Sequence, residues 1–190
     1  MAAGILLGLV TAGIGVAVGV AYLLSVYNGL IQVRNDIDKA WNNIDVLLQQ
    51  RHDELTKLMD TVREYLKHER GVLESLTRLR VGYDGTQSTD EKVRIENQIN
   101  KELVRLGPVW ENYPKLQSSK NVLQFQGRIS AVESIIADRR ELFNDSVNIY
   151  NISIQQLPQR FMAGILRYVP HAFLEIPEEQ KKDVTVSLSA

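Results

Sequence analysis

The chain has 190 residues, a formal net charge of -1 and no cysteine. That length suits one modest domain with a buried core. The absence of cysteine excludes disulfides, zinc–thiolate sites, iron–sulfur clusters and thiol nucleophiles. The near-zero charge gives no reason to expect nucleic acid as a partner.

Charge is absent from Met1 to Val33 and frequent from Arg34 onward. The uncharged run Gly4 to Val26 exceeds the roughly 20 apolar residues that cross hydrocarbon as a helix. Tyr22 and Tyr27 stand near its C-terminal end, where amphipathic rings favour the membrane interface. A cleaved signal peptide needs a basic leader and a shorter apolar stretch. No Lys or Arg precedes this run, so the sequence predicts a retained single-pass anchor over residues 1–27, in contact with the lipid bilayer. Arg34 and Lys39 favour a plasma-membrane orientation with a cytoplasmic C-terminal domain, although Asp36 and Asp38 lie beside them. Gly4, Gly8, Ala12, Gly15 and Gly19 share one helical face at ~100° per residue. Two GxxxG pairs on one stripe suggest helix–helix contact in lipid.

After the anchor the apolar period is helical. Ile37, Trp41, Ile44, Leu48, Arg51, Leu55, Leu58, Val62, Tyr65, Glu69, Val72, Leu76 and Leu79 recur at spacings of four and three, the signature of helices packed lengthwise. No Gly or Pro lies between Leu30 and Glu69, so one helix is predicted from the membrane to about Arg80. Gly82, Asp84 and Gly85 mark a turn. Ser88-Thr89-Asp90-Glu91 fits a capping box that opens a second helix. That helix is expected to run to about Leu106 or Asn112, where Gly107-Pro108 and Tyr113-Pro114 break it. A third helix, from Ser118 or Ser119, carries Val122, Phe125, Ile129, Val132, Ile136, Arg139, Phe143, Val147, Tyr150, Ile154 and Leu157, and Pro158 ends it. Residues 161–169 read as a short fourth helix. The expected fold is all-α: a transmembrane helix continuing into an antiparallel bundle of three long helices and a short fourth over residues 28–168, followed by a tail over 169–190.

Motifs for chemistry are missing. There is no HExxH, GxSxG, Walker loop or GxGxxG. The Glu-x-x-His pairs of helical di-iron bundles do not occur either. Asp60, Glu64 and His68 share a helix face, which is more often solvated than metal-bound. The sequence therefore predicts no enzyme, no cofactor and no metal. Arg51, Glu69 and Arg139 fall on apolar seams. Burying a charge without a partner costs several kcal/mol, so these three define a candidate buried polar seam, with Glu69 expected to meet Arg139 or Arg128. The stripe Leu30, Ile37, Trp41, Ile44 and Leu48 has no obvious cover if the second helix is too short to return to the bilayer. With Gly4, Gly8, Gly15 and Gly19 it forms a candidate self-association face and implies a homo-oligomer. A break in helix one near Gln50, folding the chain back, is the competing geometry that would cover the stripe.

These residues resemble the LemA family of membrane-anchored bacterial and archaeal proteins. The matching pieces are Tyr27-Asn28, Arg34-Asn35, Ala40-Trp41, Ile44-Asp45-Val46, Leu48 with Arg51 and Asp53, and Tyr65 with His68-Glu69. In the second half they are Tyr113-Pro114, Arg139-Arg140, Phe143-Asn144, Val147, Tyr150-Asn151, Pro158 and Ala163-Gly164. The chain departs from the family where Glu54-Leu55-Thr56-Lys57-Leu58 replaces a common Ile-Pro-Asn-Leu, at Phe143 in place of Tyr, and at Leu157 in place of Phe. The resemblance implies an N-terminal anchor and an antiparallel helical bundle, and it supplies no catalytic residues. The functional expectation is a non-enzymatic scaffold or adaptor that is tethered to the membrane and binds proteins through helix faces. A sensor of membrane or envelope stress, or a membrane remodeller, is the alternative.

Overall fold

Long stretches without Gly or Pro, patterned at helical period, leave the backbone one economical way to satisfy its hydrogen bonds. The computed structural model describes residues 2–63, 70–111, 113, 116 and 118–175. Among them are five helices and no strand: α1 (Ala2–Val62), α2 (Arg70–Gly85), α3 (Thr89–Glu111), α4 (Lys120–Ser153) and α5 (Gln159–Ile165). The fold is all-α, as the periodicity predicts. Among the described residues α1 is the one helix long and apolar enough to cross a membrane. The chain packs into two compact units, one of Met1–Lys39 with Ser146–His171 and one of Ala40–Asp145 with Ala172–Ala190.

In the second unit the chain reverses three times. Arg80 Nη1 donates to Thr56 Oγ1 at 2.7 Å and Tyr83 Oη to Asp45 Oδ1 at 2.5 Å, so α2 runs antiparallel to α1. Lys92 returns to Asp45 and Glu96 to Arg51, so α3 runs parallel to α1. Trp41 meets Phe143 edge-on at 5.4 Å, and Leu58 and Val62 cluster with Val122, so α4 is antiparallel to α1. One end of the unit is closed by Leu58, Val62, Leu116 and Val122, with Leu73, Tyr113, Phe125 and Ile129 packed on them. The expectation of a single helix to Arg80 is therefore corrected. A seam of period 3.5 reads the same through a reversal, because α1 and α2 present their apolar faces to the same core.

The third reversal corrects the bare stripe. It sends α4 back along α1, and Trp41, Ile44 and Leu48 are buried at 5%, 0% and 1% exposure. In the first unit Leu30 and Ile37 are each 1% exposed, packed in one body with Val147, Tyr150, Ile154 and Ala163. The stripe is the core of the chain itself, so it no longer argues for self-association. The alternative break near Gln50 is not observed either: α1 is continuous from Ala2 to Val62, and the chain folds back only after Val62. Gly8, Gly15 and Gly19 are different, since a Cβ there would meet nothing within 4 Å.

Element ends follow local chemistry. Ser88 caps α3: its Oγ accepts the Glu91 N–H at 3.4 Å, and its carbonyl accepts Lys92 N–H at 2.9 Å. Of the two expected ends, near Leu106 and near Asn112, the structure takes the later: α3 runs past Gly107-Pro108 to Glu111, and Pro108 forgoes only one intrahelical donor so near the end. α5 closes with Arg167 N–H on Gly164 O and Tyr168 N–H on Ala163 O, a Schellman pair that puts Arg167 at φ 54°. In the first unit Tyr150 Oη then donates to Val169 O at 3.2 Å, and the Arg34 guanidinium lies 4.9 Å over the Tyr168 ring.

Phe143 and Leu142 are neighbours with opposite fates, 1% and 53% exposed. Phe143→Ala should destabilise the full chain by about 3–5 kcal/mol. Leu142→Ala should stay within about 0.5 kcal/mol. Chemical denaturation in detergent, followed by far-UV circular dichroism, checks both.

Candidate functional site

The second unit holds a polar network in its core. α1 in this unit is flanked by α2, α3 and α4, so its buried face is broad and takes in Arg51, His52 and Glu54 together with Leu55 and Leu58. Arg51 has 0% exposure. Its Nη2 pairs with Glu96 Oε1, and its Nη1 pairs with Glu133 Oε1 and donates to Asn100 Oδ1 at 3.0 Å. Glu96 and Asn100 stand one turn apart on α3, and Glu133 reaches in from α4. The other Glu96 oxygen, Oε2, lies 2.9 Å from His52 Nε2. One guanidinium thus joins α1, α3 and α4.

A second cluster abuts the first. Tyr83 of α2, 1% exposed, donates to Asp45, which also accepts Lys92 Nζ at 3.2 Å. The Lys92 ammonium sits 4.9 Å over the Tyr83 ring, and the His52 ring meets Tyr83 edge-on at 4.7 Å. Burial, and then the bond to Asp45, push the Tyr83 phenol well above its usual range. Burial, followed by the charges of Arg51, Arg80 and Lys92, pushes His52 down to about 3. At neutral pH His52 is an uncharged ring whose Nε2–H donates to Glu96.

The sequence-predicted seam is rearranged. Arg51 is where it was expected. Arg139 is exposed, and Arg140 takes the buried place at 3% exposure. Both fit a helical step, three or four residues after Ile136, and the structure takes four. Burial lowers the Arg140 pKa, with Glu133 opposing and Arg51 adding to the fall. Glu69 lies outside the described residues, as do Glu64 and His68 of the acidic and histidine face. Sequence reasoning missed His52, Glu96 and Asn100, which sit beside the seam on positions that read as solvated. The available signal was the run Val93, Ile95, Glu96, Ile99 and Asn100, polar residues among apolar ones on the stripe of α3.

Chemically, the network neutralises itself. Arg51 and Arg140 face Glu96 and Glu133, while His52 and Tyr83 are held uncharged. Beside His52 is a small cavity lined by Leu55, Met59, Leu76, Arg80 and Ile99. Among the described residues no group of three or more His, Asp or Glu side chains is arranged to hold a metal. The arrangement suits the fixing of helix register, which is the best-attested use of buried polar groups.

Fold and network together define a helical-bundle protein with an N-terminal apolar helix and a charge-paired core. The family model described as LemA family matches residues 40–188. A protein named Protein LemA, from Metamycoplasma hominis, is 27% identical over 173 residues, covering 90% of this chain and 79% of that protein. The chain belongs to the LemA family.

The depressed His52 sets a pH window. Below pH 6.5 the unfolded chain takes up a proton on His52 that the folded chain refuses until about pH 3. Stability from this group is therefore complete above pH 6.5 and is lost as pH falls through the window, by up to about 1.4 kcal/mol per unit. Glu96, Arg51, Arg80, Lys92 and Tyr83 are the charged and titratable groups facing it. The denaturation midpoint should fall more steeply between pH 6.5 and 4 for the wild type than for His52→Gln, since carboxylates contribute to both.

Proposed function

We propose that the protein is a non-enzymatic scaffold tethered to a membrane, in which α1 crosses the bilayer over about residues 4–26 and the bundle presents helix faces to protein partners. The positive charges at Arg34 and Lys39 favour a cytoplasmic bundle. The open glycine face at Gly8, Gly15 and Gly19 offers a close-packing surface for a second copy within the bilayer.

The observation that carries the scaffold reading lies on α4. Ile135 and Leu142, both in the second unit, are 47% and 53% exposed and stand seven residues apart. Two helical turns separate them, so they form one line of aliphatic side chains in solvent, the pattern by which one helix recognises another. Asp138 lies between them and keeps the face soluble.

The lack of native cysteine makes this face directly testable. A single cysteine at Leu142, carrying a photo-crosslinker, should give a discrete adduct in native membranes. The adduct should disappear when Ile135→Glu is added. A label at Glu141 should give little. No adduct at Leu142, or equal adducts at both positions, contradicts the reading.

A further inference from the structure

The C-terminal segment is held in the second unit by its backbone, through amide side chains. Asn144, on α4, binds both main-chain groups of one residue: its Nδ2 donates to Leu174 O at 2.9 Å and its Oδ1 accepts Leu174 N–H at 3.0 Å. Asn97, on α3, is 9% exposed and binds the two flanking groups: its Nδ2 donates to Phe173 O at 3.0 Å and its Oδ1 accepts Glu175 N–H at 2.8 Å. Asp90 accepts Ala172 N–H at 3.1 Å. Main-chain groups that alternate between two sides are the pattern of a β-strand paired on both edges. Here two asparagines from two helices take the place of the neighbouring strands.

The grip is nearly blind to side chains. Phe173 is 44% exposed, and Glu175 is exposed with only a solvent-facing ion pair to Lys101. Such pairs contribute little. Among the described residues of the segment Leu174 alone is buried, at 2% exposure. The groove therefore demands an extended chain with one aliphatic side chain at the centre, and its own tail satisfies that demand.

We propose that this groove between α3 and α4 is a receptor for an extended segment of a partner protein, read through its main chain and one aliphatic anchor, and that the tail is the built-in occupant the partner displaces. Recognition of this kind gives affinity through backbone bonds and specificity through a single pocket. The resident tail competes as an intramolecular ligand at high effective concentration, so a partner engages when the tail is drawn away. The proposal rests on the scaffold reading but uses a different surface, so the Leu142 adduct and the groove assay can fail separately.

The test uses the full chain in detergent and a fluorescent peptide with the sequence of residues 169–177, read by anisotropy. The wild type should bind it weakly. Leu174→Asp, which expels the tail, should bind it at least about tenfold more tightly, and adding Asn144→Ala should remove that gain. A peptide N-methylated at the leucine should bind the opened protein about tenfold more weakly, for it loses the bond to Asn144. Replacing the exposed phenylalanine of the peptide by alanine should change affinity by less than about threefold. Leu174→Asp binding no more tightly than the wild type, or the N-methylated peptide binding equally well, would overturn the proposal. Should Leu174→Asp lose its helical signal, the wild type decides. Saturating unlabelled peptide must then speed amide exchange at Leu174 of the ¹⁵N-labelled chain, and unchanged exchange overturns the proposal. A wild-type dimer that only Leu174→Asp dissociates would assign the groove to a second copy's tail and overturn it as well.

Discussion

Arg51 sits in the core of the second unit with no exposure to solvent, and a guanidinium cannot be deprotonated to escape the cost of burial. It must be met by carboxylates, and the chain brings them from elsewhere: Glu96 from α3 and Glu133 from α4. Asn100 takes a further donor, and His52 holds the far oxygen of Glu96. An apolar seam of leucines and isoleucines tolerates a slip of one heptad with little change in buried area. Arg51 does not, because a slip strands a charge. The register of α1, α3 and α4 in this unit follows from that one requirement.

The same requirement accounts for the chemistry of the surroundings. The buried cations Arg51 and Arg140 lie with the carboxylates Glu96 and Glu133. Burial above all holds His52 and Tyr83 in their uncharged forms, the first pushed down and the second pushed up. Asp45 is satisfied from two helices, by Tyr83 of α2 and Lys92 of α3. What looks like an assembly of acid–base groups is, in its charge accounting, a closed system that ties α1 to each of its three neighbours.

How far this was legible in the sequence depended on what each signal can resolve. Helical period located the apolar faces of α1, α2 and α4, and Arg51 was visible as a charge on a seam. Period carries no sign of direction, so α1 and α2 read as one helix and the stripe from Leu30 to Leu48 is left without a cover in the sequence. Steps of three and four are both helical, so period alone does not choose between Arg139 and Arg140. His52 and Glu96 were missed because a helix touched on three sides buries positions beside its seam. The grip of Asn97 and Asn144 on the tail left no sequence pattern, since it depends on backbone groups that every residue has.

The register claim is most directly tested by a double-mutant cycle between Arg51 and Glu96, using Arg51→Met and Glu96→Gln in the full chain and equilibrium denaturation in detergent. Arg51→Met strands the buried Glu96 carboxylate, and Glu96→Gln leaves Arg51 with Glu133 as its one carboxylate, so each should cost about 3–5 kcal/mol. The double substitution removes both charges, so its cost should fall short of the sum of the singles by at least about 2 kcal/mol. Strictly additive costs, or singles that leave the midpoint unmoved, would contradict the account of a bundle registered by Arg51.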